Sequence, residues 1–133
     1  MIVTDAGATV AYLIDRPEGA GEVVRQWFTA EELHAPHLIE LEVVNALRRL
    51  ALSGAITSSR AREALEDFVD LRIVLYPHAP LLARVWELRQ NLTAYDAVYV
   101  ALAQALGIAL LTTDSGIRDA PGHHALVELV QSR

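Results

Sequence analysis

Residues 93–113 read TAYDAVYVALAQALGIALLTT, and no other stretch limits the fold as strongly. From Ala97 to Leu106 the only polar side-chain groups are the amide of Gln104 and the hydroxyl of Tyr99. A helix that is apolar on every side is buried. Thr93 is a good N-cap, and Gly107 is a good stop. The run IALLTT (108–113) that follows reads as a strand. Asp96 and Gly107 break the apolar stretch too often for a membrane span. A buried helix feeding a buried strand implies a sheet covered by helices.

The rest of the chain fits that frame. IVT (2–4) is a short β-branched strand, and 8–14 is a short helix. Pro17 and Gly19 open a second helix over about 20–29. LHAP (33–36) is a strand, and residues 37–54 form a helix stopped by Gly54. Thr57 or Ser58 caps a helix reaching residue 71. RIVLYP (72–77) is a strand, 80–91 a helix, and ALVELV (125–130) the last strand. Strands separated by helices predict a three-layer α/β/α fold on a mostly parallel sheet. At 133 residues, one domain spanning 1–133 is expected.

Composition closes several routes. With no cysteine, disulfides and thiolate metal sites are excluded. The N-terminus lacks a basic leader and meets Asp5 early, so a cytoplasmic protein with no membrane role is expected. A net charge of −6 argues against a broadly basic nucleic-acid binder but not against a local patch. All eleven basic residues are arginine. Any mechanism that needs a lysine is therefore excluded, including receiver-type phosphoacceptance. A dehalogenase-type D-x-D is absent after the first strand, because Asp5 is followed by Ala6 and Gly7.

Four acids form the candidate site. Asp5 and Asp114 each end a predicted strand, where ligands of parallel sheets bind. Each also suits an N-cap. Asp96 completes the capping box T-A-Y-D, yet lies in the first turn of a buried helix and needs a compensating cation or donors. On helix 37–54, Glu42 falls at the margin of the apolar stripe beside Asn45 and Arg49. Glu40 falls inside the arc, and the helical wheel does not choose between them. Carboxylates crowded together repel by about 4 kcal/mol per pair at 4 Å and an effective dielectric of 20. An all-oxygen set suits a hard ion such as Mg²⁺ or Mn²⁺.

MIVTDAGATVAYL, PHLIELEVVNALRR, LTAYDAVYVALAQALG and LLTTDSGI, in that order, resemble the four motif blocks of the PIN-domain ribonucleases. Within these, the likeness is to the VapC toxins of bacterial type II toxin–antitoxin pairs. The resemblance spans nearly the whole chain. It implies that Asp5, Glu42, Asp96 and Asp114 are the site acids, selecting Glu42 over Glu40. It implies a Mg²⁺- or Mn²⁺-dependent endoribonuclease in which Asp5, Asp96 and Asp114 hold the metal. Glu42 would complete a second metal position or orient the attacking water. Thr112 matches a hydroxyl that hydrogen-bonds within the site. Gly7 departs slightly from the family pattern, which more often has a serine or another small side chain there. Cleavage would leave a 5′-phosphate and a 3′-hydroxyl on a tRNA, rRNA or mRNA substrate. A homodimer and a cognate VapB-like antitoxin, whose tail lies in a groove beside the site, are implied as partners. The competing reading is a catalytically inactive module that binds RNA or the antitoxin.

Other residues carry weaker signals. Arg48, Arg49 and Arg118 are candidates for contact with RNA phosphates, against a solvated face. His34, His37, His78, His123 and His124 lack metal-ligand spacing, and the His123-His124 loop reads as surface. Trp27 with Phe28, and Trp86 with Leu82 and Val85, read as core or subunit interface. Leu65, Phe68 and Val69 read as core, with a partner surface as the alternative.

Overall fold

The computed structural model describes residues 1–14 and 19–131. Pro17, expected to open the second helix, lies outside the described residues. Five strands form one sheet: β1 (Ile2–Thr4), β2 (Leu33–Pro36), β3 (Ile73–Tyr76), β4 (Leu110–Thr112) and β5 (Val127–Leu129). Their order is β3-β2-β1-β4-β5, and every pairing is parallel. The chain therefore starts in the middle, builds outward to β3, and returns to the other side of β1. The gap between β1 and β4 is the point where strand order reverses, which is where such sheets bind ligands.

Seven helices occur among the described residues: α1 (Ala6–Ile14), α2 (Gly21–Ala30), α3 (Ile39–Leu52), α4 (Ser58–Asp70), α5 (Leu82–Glu87), α6 (Ala94–Leu106) and α7 (Ser115–Asp119). Neighbouring strand residues face opposite ways. Ile2, Leu33 and Leu111 pack with Ala8 of α1 and Val24 of α2. Val3, Ala35 and Leu110 pack with α6 and with Val85 and Leu88 at α5. α3 packs against α1 and α4. None of the described helices is long and apolar enough to cross a membrane.

α6 is the buried helix the sequence calls for. Ala97 through Ala103 are all buried. The Thr93 hydroxyl accepts the Asp96 N–H at 3.2 Å, and Gly107 ends the helix in the left-handed region at φ 67°. Thr57 caps α4 in the same way, accepting from the Arg60 N–H at 3.0 Å. The expected helix over 80–91 is shorter. A 3-10 turn at Ala79–Leu81, with Pro80 at its start, leads into an α5 that ends at Glu87. Leu88 leaves helical geometry at φ −88°, ψ 0°.

Leu102 is 2% exposed on α6. Leu102→Ala should cost about 2–5 kcal/mol in urea denaturation, the range for a core cavity. A loss below about 1 kcal/mol would mean that α6 is not the structural core.

Candidate active site

The site begins with the pairing of β1 and β4. Val3 lies opposite Leu110, and Thr4 opposite Leu111. The Asp5 N–H donates to the Leu111 carbonyl at 3.2 Å, so the hydrogen bonding continues one residue past β1. The next side chain on each strand end is then forced toward the same crevice. The Thr112 hydroxyl donates to Asp5 Oδ2, and Thr112 Oγ1 accepts the Asp114 N–H at 3.0 Å. One threonine thus ties the two strand-end acids together. Its predicted bond within the site is present.

Asp5 is also fixed from the helix that follows it. Its Oδ1 accepts the Ala8 N–H at 2.8 Å, the cap of α1. Asp114 caps α7, with Oδ1 accepting the Gly116 N–H at 2.7 Å. The capping readings of these acids are therefore realised, and capping leaves both side chains on the same crevice.

α6 and α3 supply the other two acids. Asp96 sits in the first turn of α6, where the helix dipole favours a negative charge. Glu42 stands on α3, and the Tyr99 hydroxyl donates to its Oε1 at 2.6 Å. Asp5, Glu42, Asp96 and Asp114 line a single cleft of ≈ 240 Å³ together with Asn45, Arg49, Tyr99 and Thr113. Glu40 is turned out to solvent near His37, at 3.7 Å, and has no part in it. A larger cavity of ≈ 450 Å³ lies by α1, α2 and α4, but its two acids, Asp67 and Asp70, share the lining with two arginines, Arg25 and Arg60.

Nothing in the cleft balances the acids to that degree. Among the described residues no basic group lies within ion-pair distance of any of the four. Arg49 is the basic side chain on the rim, and its field favours ionised Glu42. Burial, reinforced by Asp114 and Asp96, pushes the Asp5 carboxyl up to about 6 despite its two hydrogen bonds. Burial and the Asp114 charge raise Asp96 above the usual carboxylate range. Burial and Asp96 raise Glu42 against the pull of Tyr99 and Arg49. Burial beside these acids raises the Tyr99 phenol well beyond its ordinary value, so it stays a donor.

The donor set is all oxygen, which fits a hard divalent cation. Among the described residues no three acidic or imidazole groups form a ready-made chelate. Separate carboxylates around an open space of this volume suit an ion that keeps several of its own waters, as Mg²⁺ does.

The remaining candidates fall out unevenly. Arg49 lines the cleft, and Arg48 is exposed beside it on α3. Arg118 is engaged by Asp119, at 2.8 and 3.2 Å. Gly7 also has a local explanation, since a Cβ there would meet Thr113 Oγ1 at 2.7 Å. The threonine hydroxyl occupies the space a serine at position 7 would need. Sequence reasoning missed Tyr99 and Asn45 as lining groups. The Tyr99 hydroxyl, one of two polar groups on an otherwise apolar run of the helix, was the available signal.

The raised Asp5 carboxyl has a signed consequence. Its value in an unfolded chain is near 3.8. Between about pH 4 and 6 the folded, metal-free protein holds a proton that the unfolded chain has lost. Stability is therefore fully present below this window and falls as pH rises through it, by up to about 3 kcal/mol from this group. Asp5→Asn should remove that dependence. In urea denaturation with EDTA, the variant should gain on the wild type as pH rises from 4 to 7. A difference that stays constant with pH would contradict the assignment.

Comparison with known proteins agrees with this geometry. The family model described as "PIN domain" matches residues 2–122. Ribonuclease VapC1 of Mycobacterium tuberculosis is 44% identical over 131 residues, covering 97% of each chain. Among solved structures, PAE2754 from Pyrobaculum aerophilum superposes with a TM-score of 0.70 at 25% identity, covering 95% of this chain and 82% of that one. VapBC2 from Rickettsia felis, bound to a DNA fragment from its promoter, shares the fold at a TM-score of 0.68 and 14% identity, with both chains fully covered. A match over most of the chain, to relatives of nearly the same length, leaves one assignment: the chain belongs to the PIN-domain family, among the VapC ribonucleases.

Proposed function

We propose that this chain is a Mg²⁺- or Mn²⁺-dependent endoribonuclease that acts in the cytoplasm as the toxin of a type II toxin–antitoxin pair. The observation that carries the reading is the meeting of four carboxylates, without a balancing cation, at the switch point of a PIN sheet. The VapC ribonucleases, 44% identical over nearly the full chain, support RNA as the substrate class. A tRNA, rRNA or mRNA phosphodiester would be cut to leave a 5′-phosphate and a 3′-hydroxyl.

Asp5, Asp96 and Asp114 would hold the ion, directly or through water. When bound, the ion would supply Lewis acidity toward the phosphate and lower the pKa of water. The protein's own groups do the rest. Asp5 is locked by Ala8 and Thr112, so its carboxylate does not turn away when charge accumulates. Asp114 is oriented through Thr112 and Gly116. Glu42 makes no hydrogen bond through Oε2 among the described residues, so that oxygen is free to accept a proton from the attacking water or to join a second metal position. Arg49 would fork onto a non-bridging phosphate oxygen. Arg48 would reach a neighbouring phosphate. Arg118 would have to exchange Asp119 for the substrate.

The fold likeness to VapBC2 supports an antitoxin as partner. An apolar recess of ≈ 260 Å³, lined by Val10, Ala11, Ile14 and Leu50, shares Gly7 and Thr113 with the acid cleft. An antitoxin tail lying there would end among the acids, where a basic residue would offset them. A homodimer is supported by apolar side chains left in solvent: Trp86 at 67%, Leu82 at 56% and Tyr95 at 62% exposed. These lie on α5 and α6, which pack together. Trp86 and Leu82 are thus not core, which supports the interface reading.

Purified protein incubated with total RNA and Mn²⁺ should produce discrete new 5′ ends. Asp96→Asn and EDTA should each reduce them at least 100-fold, the scale of losing an essential charge at a reacting phosphate. Equal cleavage by the variant, or cleavage that survives EDTA, would refute the assignment. Trp86→Glu should shift the mass in light scattering from dimer toward monomer. A variant that stays dimeric would move the interface off this face.

A further inference from the structure

We propose that Tyr99 is a positioning residue that holds Glu42 in the cleft against the repulsion of Asp96. The inference rests on the metal-dependent ribonuclease reading and assigns a role to a residue that reading does not need. Tyr99 follows Asp96 by three residues on α6, so the two side chains share one face of the helix. The ring is 2% exposed, packed in the core, and has little freedom to move. Its hydroxyl crosses to α3 and donates to Glu42 Oε1 at 2.6 Å. A single rigid helix thus carries one acid of the cleft and grips another that belongs to a different helix.

The grip has something to work against. Glu42 has three rotatable side-chain bonds and is only half-buried, so solvent is open to it. Asp96 lies close enough for its charge to disfavour ionised Glu42. Arg49, two turns further along α3 and on the rim, is a charge that attracts the carboxylate. Without the phenol, an ionised Glu42 would move toward Arg49 and water. With it, Oε1 is pinned and Oε2 is left without a hydrogen-bond partner among the described residues. The carboxylate then meets the reaction already oriented, which removes an ordering cost from the reacting state.

Tyr99→Phe removes one oxygen and keeps the ring. Groups that orient a metal-binding side chain are worth about 10–100-fold in metal affinity or activity. The variant should therefore bind Mn²⁺ at least about 10-fold more weakly in a calorimetric or EPR titration, and lose kcat by a similar factor with KM for RNA little changed. On a Glu42→Gln background the same substitution should do almost nothing, because its effect runs through that carboxylate. Glu42→Asp, one methylene too short for the phenol, should reproduce the loss and serves if Tyr99→Phe does not fold. Wild-type Mn²⁺ affinity and kcat in Tyr99→Phe, or an equal loss on the Glu42→Gln background, would overturn the proposal. If Tyr99→Phe is silent while Asp96→Asn and Glu42→Gln are inactive, this inference falls and the ribonuclease reading stands. If all three match the wild type, that reading falls as well.

Discussion

The parallel pairing of β1 with β4 is the constraint on which the rest depends. It places Thr4 opposite Leu111 and carries the ladder to Asp5. Residues 107 apart in the chain, Thr112 and Asp5, are then in hydrogen-bond contact. Every other part of the cleft is arranged around that junction. α6 is buried beneath the same strands, so its first turn brings Asp96 to their carboxyl ends. α3 packs on α1, the helix that Asp5 itself caps, and so brings Glu42 over the crevice. A one-residue slip of β1 against β4 would exchange Val3 and Ile2 between the two faces and dissolve both core and site.

The acids converge at a cost that only part of the structure offsets. Two hydrogen bonds to Asp5, one from Thr112 and one from Ala8, do not outweigh its burial. The dipole of α6 contributes about 0.3–1 kcal/mol to Asp96, less than one close like-charge contact costs. Protonation of Asp5 relieves part of the charge below about pH 6, and above that a guest of opposite charge would do so, which is the electrostatic basis of the proposed metal dependence. Such stored repulsion is affordable because the core is elsewhere, in α6 and the two faces of the sheet.

Much of this was legible in the sequence because its signals are local. β-branched and leucine runs mark β1 and β4, and Thr57, Thr93, Gly54 and Gly107 mark helix ends with side-chain caps or positive φ. The strand-end positions of Asp5 and Asp114 could be read from the same runs. What was not legible depends on how helices face one another. A helical wheel could not separate Glu42 from Glu40, because the choice is made by Tyr99, a residue 57 positions away. Trp86, read as core or interface, is in solvent because Val85 on α5 and Leu88 at its C-cap face inward and leave the residues between them on the outer side. α5 is short at both ends, beginning after the 3-10 turn that holds Pro80 and stopping where Leu88 leaves helical geometry.

Anomalous diffraction at the manganese edge, from crystals grown with Mn²⁺ near neutral pH, tests the central claim most directly. Convergence of these carboxylates on a cation predicts a strong peak within coordination reach, directly or through one water, of Asp5, Asp96 and Asp114. A well-ordered site with no peak among those oxygens at saturating Mn²⁺ would contradict it.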